Sequence, residues 1–175
     1  PISQIPYANV ATINLGFATA DIPAVPAASG FVIPAIEKRS MIACTFSSNK
    51  YANRSAEGTT VLRAFVGGAL QSHQLERGNA EIISSVLDDL KELCGITAKP
   101  TFSKITRYEK AMAQPSIGHL ERVAKIRELQ QSEDGLYLIG NGYEGVGIPD
   151  IIQQGMEVSK NLLDQGDEHV ERRNK

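Results

Sequence analysis

"GLYLIGNGYEGVGIPD" (residues 135–150) is the stretch on which the reading of the chain turns. Its apolar run at 136–139 predicts a strand, and the glycines that follow predict a turn into a helix. Gly140, Gly142 and Gly145 match the dinucleotide fingerprint G-x-G-x-x-G literally. That fingerprint normally opens a domain, and a second strand with an acid at its end follows about twenty residues past the glycines. Here only thirty residues follow Gly145. Asp164 and Asp167 lie near the required distance, but they end a helical pattern and no strand succeeds it. The turn is not a Rossmann opening.

It still resembles a place where something binds. Pro149 suits the first helical position and Asp150 the first turn. The N–H groups of Val146, Gly147 and Ile148 would then sit free at the positive end of the helix. Gly145 and Gly147 have no side chain to keep a flat ligand from the backbone. A phosphate suits such an end, and so does the electron-rich N1 and C2-carbonyl edge of a reduced flavin. The same spacing also makes a tight strand-to-helix connection that binds nothing.

Working upstream, "SIGHLERVAKIRELQ" (116–130) predicts an amphipathic helix with Ile117, Leu120, Val123, Ala124 and Leu129 on its apolar side, and "TFSKITRYE" (101–109) a short strand. "GNAEIISSVLDDLKELCG" (78–95) predicts a longer helix, with Asn79 as cap, Glu81 in the first turn and Gly95 as the stop. The first third reads as strands. Residues 9–17 alternate Val10, Thr12 and Asn14 against Ala11, Ile13 and Leu15. Residues 30–36 and 40–48 flank the charged turn at Glu37, Lys38 and Arg39 as a hairpin. Residues 59–69 form a fourth strand stopped at Gly67 and Gly68, where a bulge or a close ligand approach is expected. On it Leu62, Ala64 and Val66 face away from Phe65, so both of its faces are expected to be covered. The fold class is α+β: an antiparallel or mixed sheet with a helix over residues 1–100, a β-α-β-α stretch over 101–165, and a charged, frayed tail at 166–175.

Composition sets bounds. A net charge of −2 gives no general affinity for nucleic acid. No run of eighteen apolar residues and no charged leader is present, so a cytoplasmic protein is expected. Cys44 and Cys94 stand fifty residues apart, which is no metal motif, and read as buried reduced thiols. Pro1 enters a strand pattern almost at once, as the interior of a longer chain would, or a processed or truncated N-terminus.

With "GLYLIGNGYEGVGIPD", the segments "IPYANVATINLGF", "GFVIPAIEKRSMIACTFSSNKYANRSAEG", "VLRAFVGGA", "DDLKELCGI" and "RYEKAMAQPSIGHLERV" occur in the order of one known family. Over residues 5–163 the chain resembles the C-terminal part of the protoporphyrinogen oxidase family of FAD enzymes, which includes the bacterial coproporphyrinogen III oxidases. The resemblance implies that residues 1–100 end a substrate domain and residues 101–165 end an FAD domain. It implies oxygen-dependent removal of six electrons from a porphyrinogen, with hydrogen peroxide as by-product, in haem biosynthesis. No catalytic side chain and no metal are implied here. Carried over by position, the backbone of Val146, Gly147 and Ile148 contacts FAD, Tyr108 stands at a usual tryptophan beside the cofactor, and Asn141 lies near the ribityl chain. Val32, Thr45 and Phe65 match the wall of the porphyrinogen cavity. Thr45 is more polar than the aliphatic residue of some members. Ala52 replaces a proline before Arg54, and "MAQPS" moves another proline and removes a tyrosine.

The implied partners are the substrate and the rest of the same polypeptide, with the coproporphyrinogen form favoured. Self-association of the exposed apolar surfaces and peripheral membrane contact are further expectations. The 175 residues alone are expected to bind FAD weakly and to be inactive. Arg39, Lys50 and Arg54 read either as partners of substrate propionates or as solvated loop charges. His119 reads as a packed imidazole or a base, and His73 and His169 as surface residues. Two other functions stay open: another amine-oxidase-like or desaturase-like flavoenzyme, and a non-catalytic module that binds a protein partner.

Overall fold

The computed structural model describes the backbone of residues 2–173 and the side chains of residues 2–163. It forms two compact units, residues 7–112 and residues 1–6 with 113–175. The first contains strands β1 (Tyr7–Ala18), β2 (Gly30–Val32), β3 (Met41–Phe46), β4 (Thr59–Gly67) and β5 (Phe102–Ala113), with the short helix α1 (Ser47–Lys50) and the longer α2 (Asn79–Cys94). The sheet order is β2-β3-β4-β1-β5. β1 with β4, β3 with β4 and β2 with β3 all pair antiparallel.

Alternation along the two central strands divides the sheet into two faces. Ala11, Ile13, Leu15 and Phe17 of β1 and Leu62, Ala64 and Val66 of β4 are wholly buried. They pack in one cluster with Ile82, Val86 and Leu90, which recur at helical spacing on α2. Each large side chain buried there contributes about 1.5–3 kcal/mol relative to exposure. Asn79 is not the cap of α2. Gly78 takes that place, and its N–H donates to the Glu81 carboxylate at 2.9 Å. The Asn79 side chain instead accepts from the Arg107 guanidinium at 2.9 and 3.0 Å. Gly95 ends the helix in the left-handed conformation at φ 67°, as expected.

β3 carries a bulge between Met41 and Ala43. The Met41 N–H donates to the buried carboxylate of Asp89 on α2 at 3.0 Å, and Arg39 faces the same carboxylate at 3.8 Å. A buried acid thus fixes the register of β3. Gly67 and Gly68 both have positive φ, but what closes on Gly67 is Leu75, whose methyl lies 2.7 Å from where a Cβ would stand. The close approach there is internal. β5 is longer than the strand expected at 101–109. The Thr101 N–H meets the Gly16 carbonyl at 2.7 Å and the Lys110 N–H meets the Asn9 side chain at 2.8 Å, which places β5 antiparallel on the β1 edge. Gly16 has to be glycine, because the Phe102 ring occupies the space of its Cβ. Residues 102–112 belong to the sheet unit.

The second unit holds α3 (His119–Gln130) and α4 (Ile148–Arg173). α3 buries Val123 and Ile126, whereas Ile117 and Leu120, expected on its apolar side, are exposed. The strand expected at 136–139 is not formed: these residues belong to no strand of the sheet. An apolar run becomes a strand only where another backbone pairs with its N–H and C=O groups, and neither helix can do that. α4 begins at Ile148, so Pro149 is its second residue, still within the turn where a missing N–H costs nothing. Its backbone is helical through Arg173; the expected frayed tail at 166–175, including His169, lies outside the described side chains.

Both cysteines are free, Cys44 buried and Cys94 half-buried. Burial pushes the Cys44 thiol from its ordinary 9.0 to about 12. Two outcomes are expected. Asp89→Ala strands the Met41 N–H and lowers stability by about 2–3 kcal/mol, while Asp89→Asn, which keeps an acceptor, costs less; urea unfolding midpoints compare them. Because the folded pKa of Cys44 is raised, its contribution is complete below about pH 9 and is lost as pH rises toward 12. Cys44→Ala is therefore expected to flatten the alkaline fall of the urea midpoint, and native Cys44 to resist alkylation at pH 8.

Candidate functional site

The site residues read from the sequence fall in two places. The first is the sheet face turned away from α2. Phe65 on β4 pairs with Ala43 on β3, Ala43 pairs with Val32 on β2, and Thr45 lies two residues along from Ala43. Directly paired residues share a face, and so do residues two apart on one strand. Val32, Thr45 and Phe65 therefore lie on one surface, opposite the buried side chains of Cys44, Leu62 and Ala64. Phe65 is half-buried and not part of the core. On β5, Ile105 packs toward the core cluster, while Phe102 covers Gly16 on the other face. By alternation Tyr108 follows Phe102, and it is 46% exposed. Four residues singled out by resemblance thus share one open surface of mixed apolar and polar side chains. A groove of about 560 Å³ beside the proline-rich loop and the end of α2 takes in Val32 but neither Thr45 nor Phe65. It is not where they meet.

One cation stands in the middle of this surface and escaped the sequence reading. Arg63 pairs with Thr45 on one side and with Asn14 on the other, and its Nε donates to the Asn14 side chain at 2.9 Å. Its signal was available: an arginine two residues from Phe65 in a strand of period two has the same outlook. The basic residues weighed for propionates lie elsewhere. Arg39 is bonded to Glu92, whose carboxyl it holds below the usual range. Lys50 and Arg54 sit 5.4 and 5.3 Å from the Tyr51 ring centre.

The second place is the glycine turn. Gly147 does not offer a free N–H: it donates to the Asp150 carboxylate at 2.9 Å, as the cap of α4. The N–H groups of Val146 and Ile148 bond to no described residue, and both side chains are exposed. Gly145 has φ 65°, and a Cβ on it would lie 2.5 Å from Asp150. The glycines at 145 and 147 are thus required by the acid that caps the helix, apart from any ligand. Asn141 sits in the preceding turn, half-buried.

Two side chains hold this turn, and the sequence reading named neither. Arg127 on α3 donates to the Leu138 carbonyl at 2.7 Å, lies 3.5 Å from the Glu144 carboxylate and faces the Tyr143 ring at 5.5 Å. Gln154 on α4 accepts from the Gly140 N–H at 2.9 Å and donates to the Glu144 carbonyl. His119 bonds the Tyr143 carbonyl through Nε2 at 3.3 Å and has a buried, unpartnered Nδ1, the arrangement of a packed imidazole. Nothing local in the sequence marks Arg127 or Gln154 as holding the turn, because the turn atoms they bond lie ten or more residues away. Among the described residues no group of three His, Cys, Asp or Glu side chains is placed to hold a metal, and no helix is long and apolar enough to cross a membrane.

Residues 1–163 match the flavin containing amine oxidoreductases. The chain is 36% identical over 156 residues to a coproporphyrinogen III oxidase of Bacillus subtilis, covering 89% of this chain and 33% of that one. Against a coproporphyrinogen III oxidase of Staphylococcus aureus it is 30% identical over 155 residues, covering 88% and 33%. A solved structure from Exiguobacterium sp. 255-15, assigned as a protoporphyrinogen oxidase, superimposes with a TM-score of 0.76 at 31% identity, over 91% of this chain and 35% of that one. The chain thus spans about a third of the length of the relatives it matches, in sequence and in structure. The match over residues 1–163, with the α+β sheet unit and the glycine turn within it, establishes that this chain belongs to the flavin containing amine oxidoreductase family.

Proposed function

We propose that this chain works as part of an FAD-dependent oxidase that converts a porphyrinogen to the porphyrin with O2, releasing hydrogen peroxide. The observation that carries the reading is the sheet face that Val32, Thr45 and Phe65 share. The pyrrole rings of a porphyrinogen need such a wall more than they need an acid or a base. The coproporphyrinogen III oxidases among the relatives support the substrate class.

The chain's own residues fit a flavin in two respects. Val146 and Ile148 present unpartnered N–H groups in and just before the first turn of α4, where the helix dipole favours an electron-rich edge. Gly145 and Gly147 keep that turn tight, with Asp150 holding the Gly147 N–H as its cap. Bound FAD supplies the redox chemistry, accepting hydrogen from the substrate and passing electrons to O2. The protein's part is to hold the turn and to seat the substrate against this sheet face. Tyr108 and the ribityl-side Asn141 complete the proposed cofactor set. Residues 1–100 are assigned to the end of the substrate domain and 101–165 to the end of the FAD domain.

The remaining two thirds of a polypeptide like the relatives would supply the other cofactor contacts. It would also cover Ile148, Ile152, Met156 and Leu163, which leave an apolar stripe exposed along α4. Alone, the 175 residues are expected to self-associate and to bind FAD with a Kd weaker than about 10 μM, giving no porphyrin. The complete gene product that carries them is expected to turn coproporphyrinogen III into fluorescent porphyrin with peroxide release. Tight FAD binding and turnover by the isolated chain would refute the division of labour; a complete protein without flavin would refute the reading. In that complete protein Arg127→Ala is expected to weaken FAD about tenfold by loosening the Leu138–Glu144 turn, as measured by quenching of flavin fluorescence.

A further inference from the structure

We propose that Arg63 is the anchor for a carboxylate of the substrate and selects a porphyrinogen with propionates on all four rings over one that carries two. The inference rests on the porphyrinogen reading above and deepens it. β4 is the middle strand of five, and Arg63 stands on its open face two residues from Phe65, flanked by Thr45 and Asn14. No position on that face of β1 to β4 is an acid, and the side chains next to Arg63 on it are those of Asn14, Thr45, Val61 and Phe65. Arg63 enters no ion pair among the described residues. Asn14 takes only its Nε, so the outer edge of the guanidinium, with both terminal nitrogens, bonds to no described residue.

In water such a charge is cheap. Under a tetrapyrrole it is not, because a desolvated cation without a counter-ion costs several kcal/mol. Every other side chain that could repay that cost on this surface is neutral. The ligand must therefore bring the negative charge, and a planar guanidinium fixed at one nitrogen presents two parallel donors that match a carboxylate. A propionate reaching over the sheet satisfies it. Coproporphyrinogen offers a propionate whichever ring faces Arg63, whereas protoporphyrinogen, with propionates on two of its four rings, leaves the charge buried and unpaired wherever a vinyl-bearing ring stands there. Asn14 acts as a positioning residue that holds the guanidinium plane.

The test uses the complete gene product with its FAD, and compares coproporphyrinogen III with protoporphyrinogen IX for wild type and Arg63→Met, a variant of similar length without charge. The expected result is a 10–100-fold fall in kcat/KM for coproporphyrinogen, carried by KM, with less than about a threefold change for protoporphyrinogen. Flavin content and thermal midpoint serve as controls for folding. Equilibrium quenching by coproporphyrin III is expected to weaken in parallel, whereas Arg63→Lys recovers part of the affinity and Asn14→Ala loses a smaller part. If Arg63→Met does not accumulate as a folded flavoprotein, the Lys and Asn14→Ala variants decide the matter through the same substrate ratio. Equal losses on both substrates overturn the selection by Arg63, no loss overturns the anchor as well, and either result leaves the porphyrinogen reading standing. Failure of the wild-type protein to oxidise either substrate overturns both.

Discussion

The structure depends on one constraint: β1 and β4 have two faces each, and the helix α2 covers one. With Ile13, Leu15, Leu62 and Val66 on that covered side, period-two alternation leaves Thr12, Asn14, Arg63 and Phe65 on the other. The core and the candidate substrate surface are thus one decision. A shift of register by a single residue would exchange them, moving Phe65 and Arg63 into the core and Leu62 into solvent. Register is guarded beside the central pair as well. On β3 the bulge leaves a backbone N–H inside, and Asp89 of α2 takes it. Helix and sheet are therefore tied by a polar bond as well as by apolar packing.

The glycine turn follows a different logic. Its spacing resembles a nucleotide fingerprint, yet Gly145 and Gly147 are small because Asp150 packs against them to cap α4. The cap has a chemical consequence. One N–H at the helix start is withdrawn from any ligand, and those of Val146 and Ile148 are left. Arg127 and Gln154 then hold the turn from two different helices, so its shape belongs to the unit and not to the glycines alone.

Much of the fold was legible. The alternation at residues 9–17 and 59–67 and the helical period of α2 are strong because each covers many residues with one consistent pattern. Two elements were misread, for physical reasons. Residues 136–139 have a strand's composition, but composition cannot provide a neighbouring backbone. Ile117 and Leu120 sit at helical spacing with Val123, but α3 turns Val123 and Ile126 inward and leaves the other two exposed. In the candidate site, Val32, Thr45 and Phe65 were named through resemblance, and only the structure places them on one face. Arg63 was missed because a charged residue in a strand reads as a solvated one until its cross-strand neighbours are known.

The sequence by itself determined the α+β class, the strand and helix patterns, the family and the candidate residues, since these reside in local periodicity and ordered motifs. Only the tertiary structure decided that Val32, Thr45 and Phe65 share a face, that Arg63 stands among them without a counter-ion, and that Gly147 is already bonded. Those facts depend on register and on contacts between distant residues. Register arises when strands far apart in the chain pair, and no local run of residues contains it.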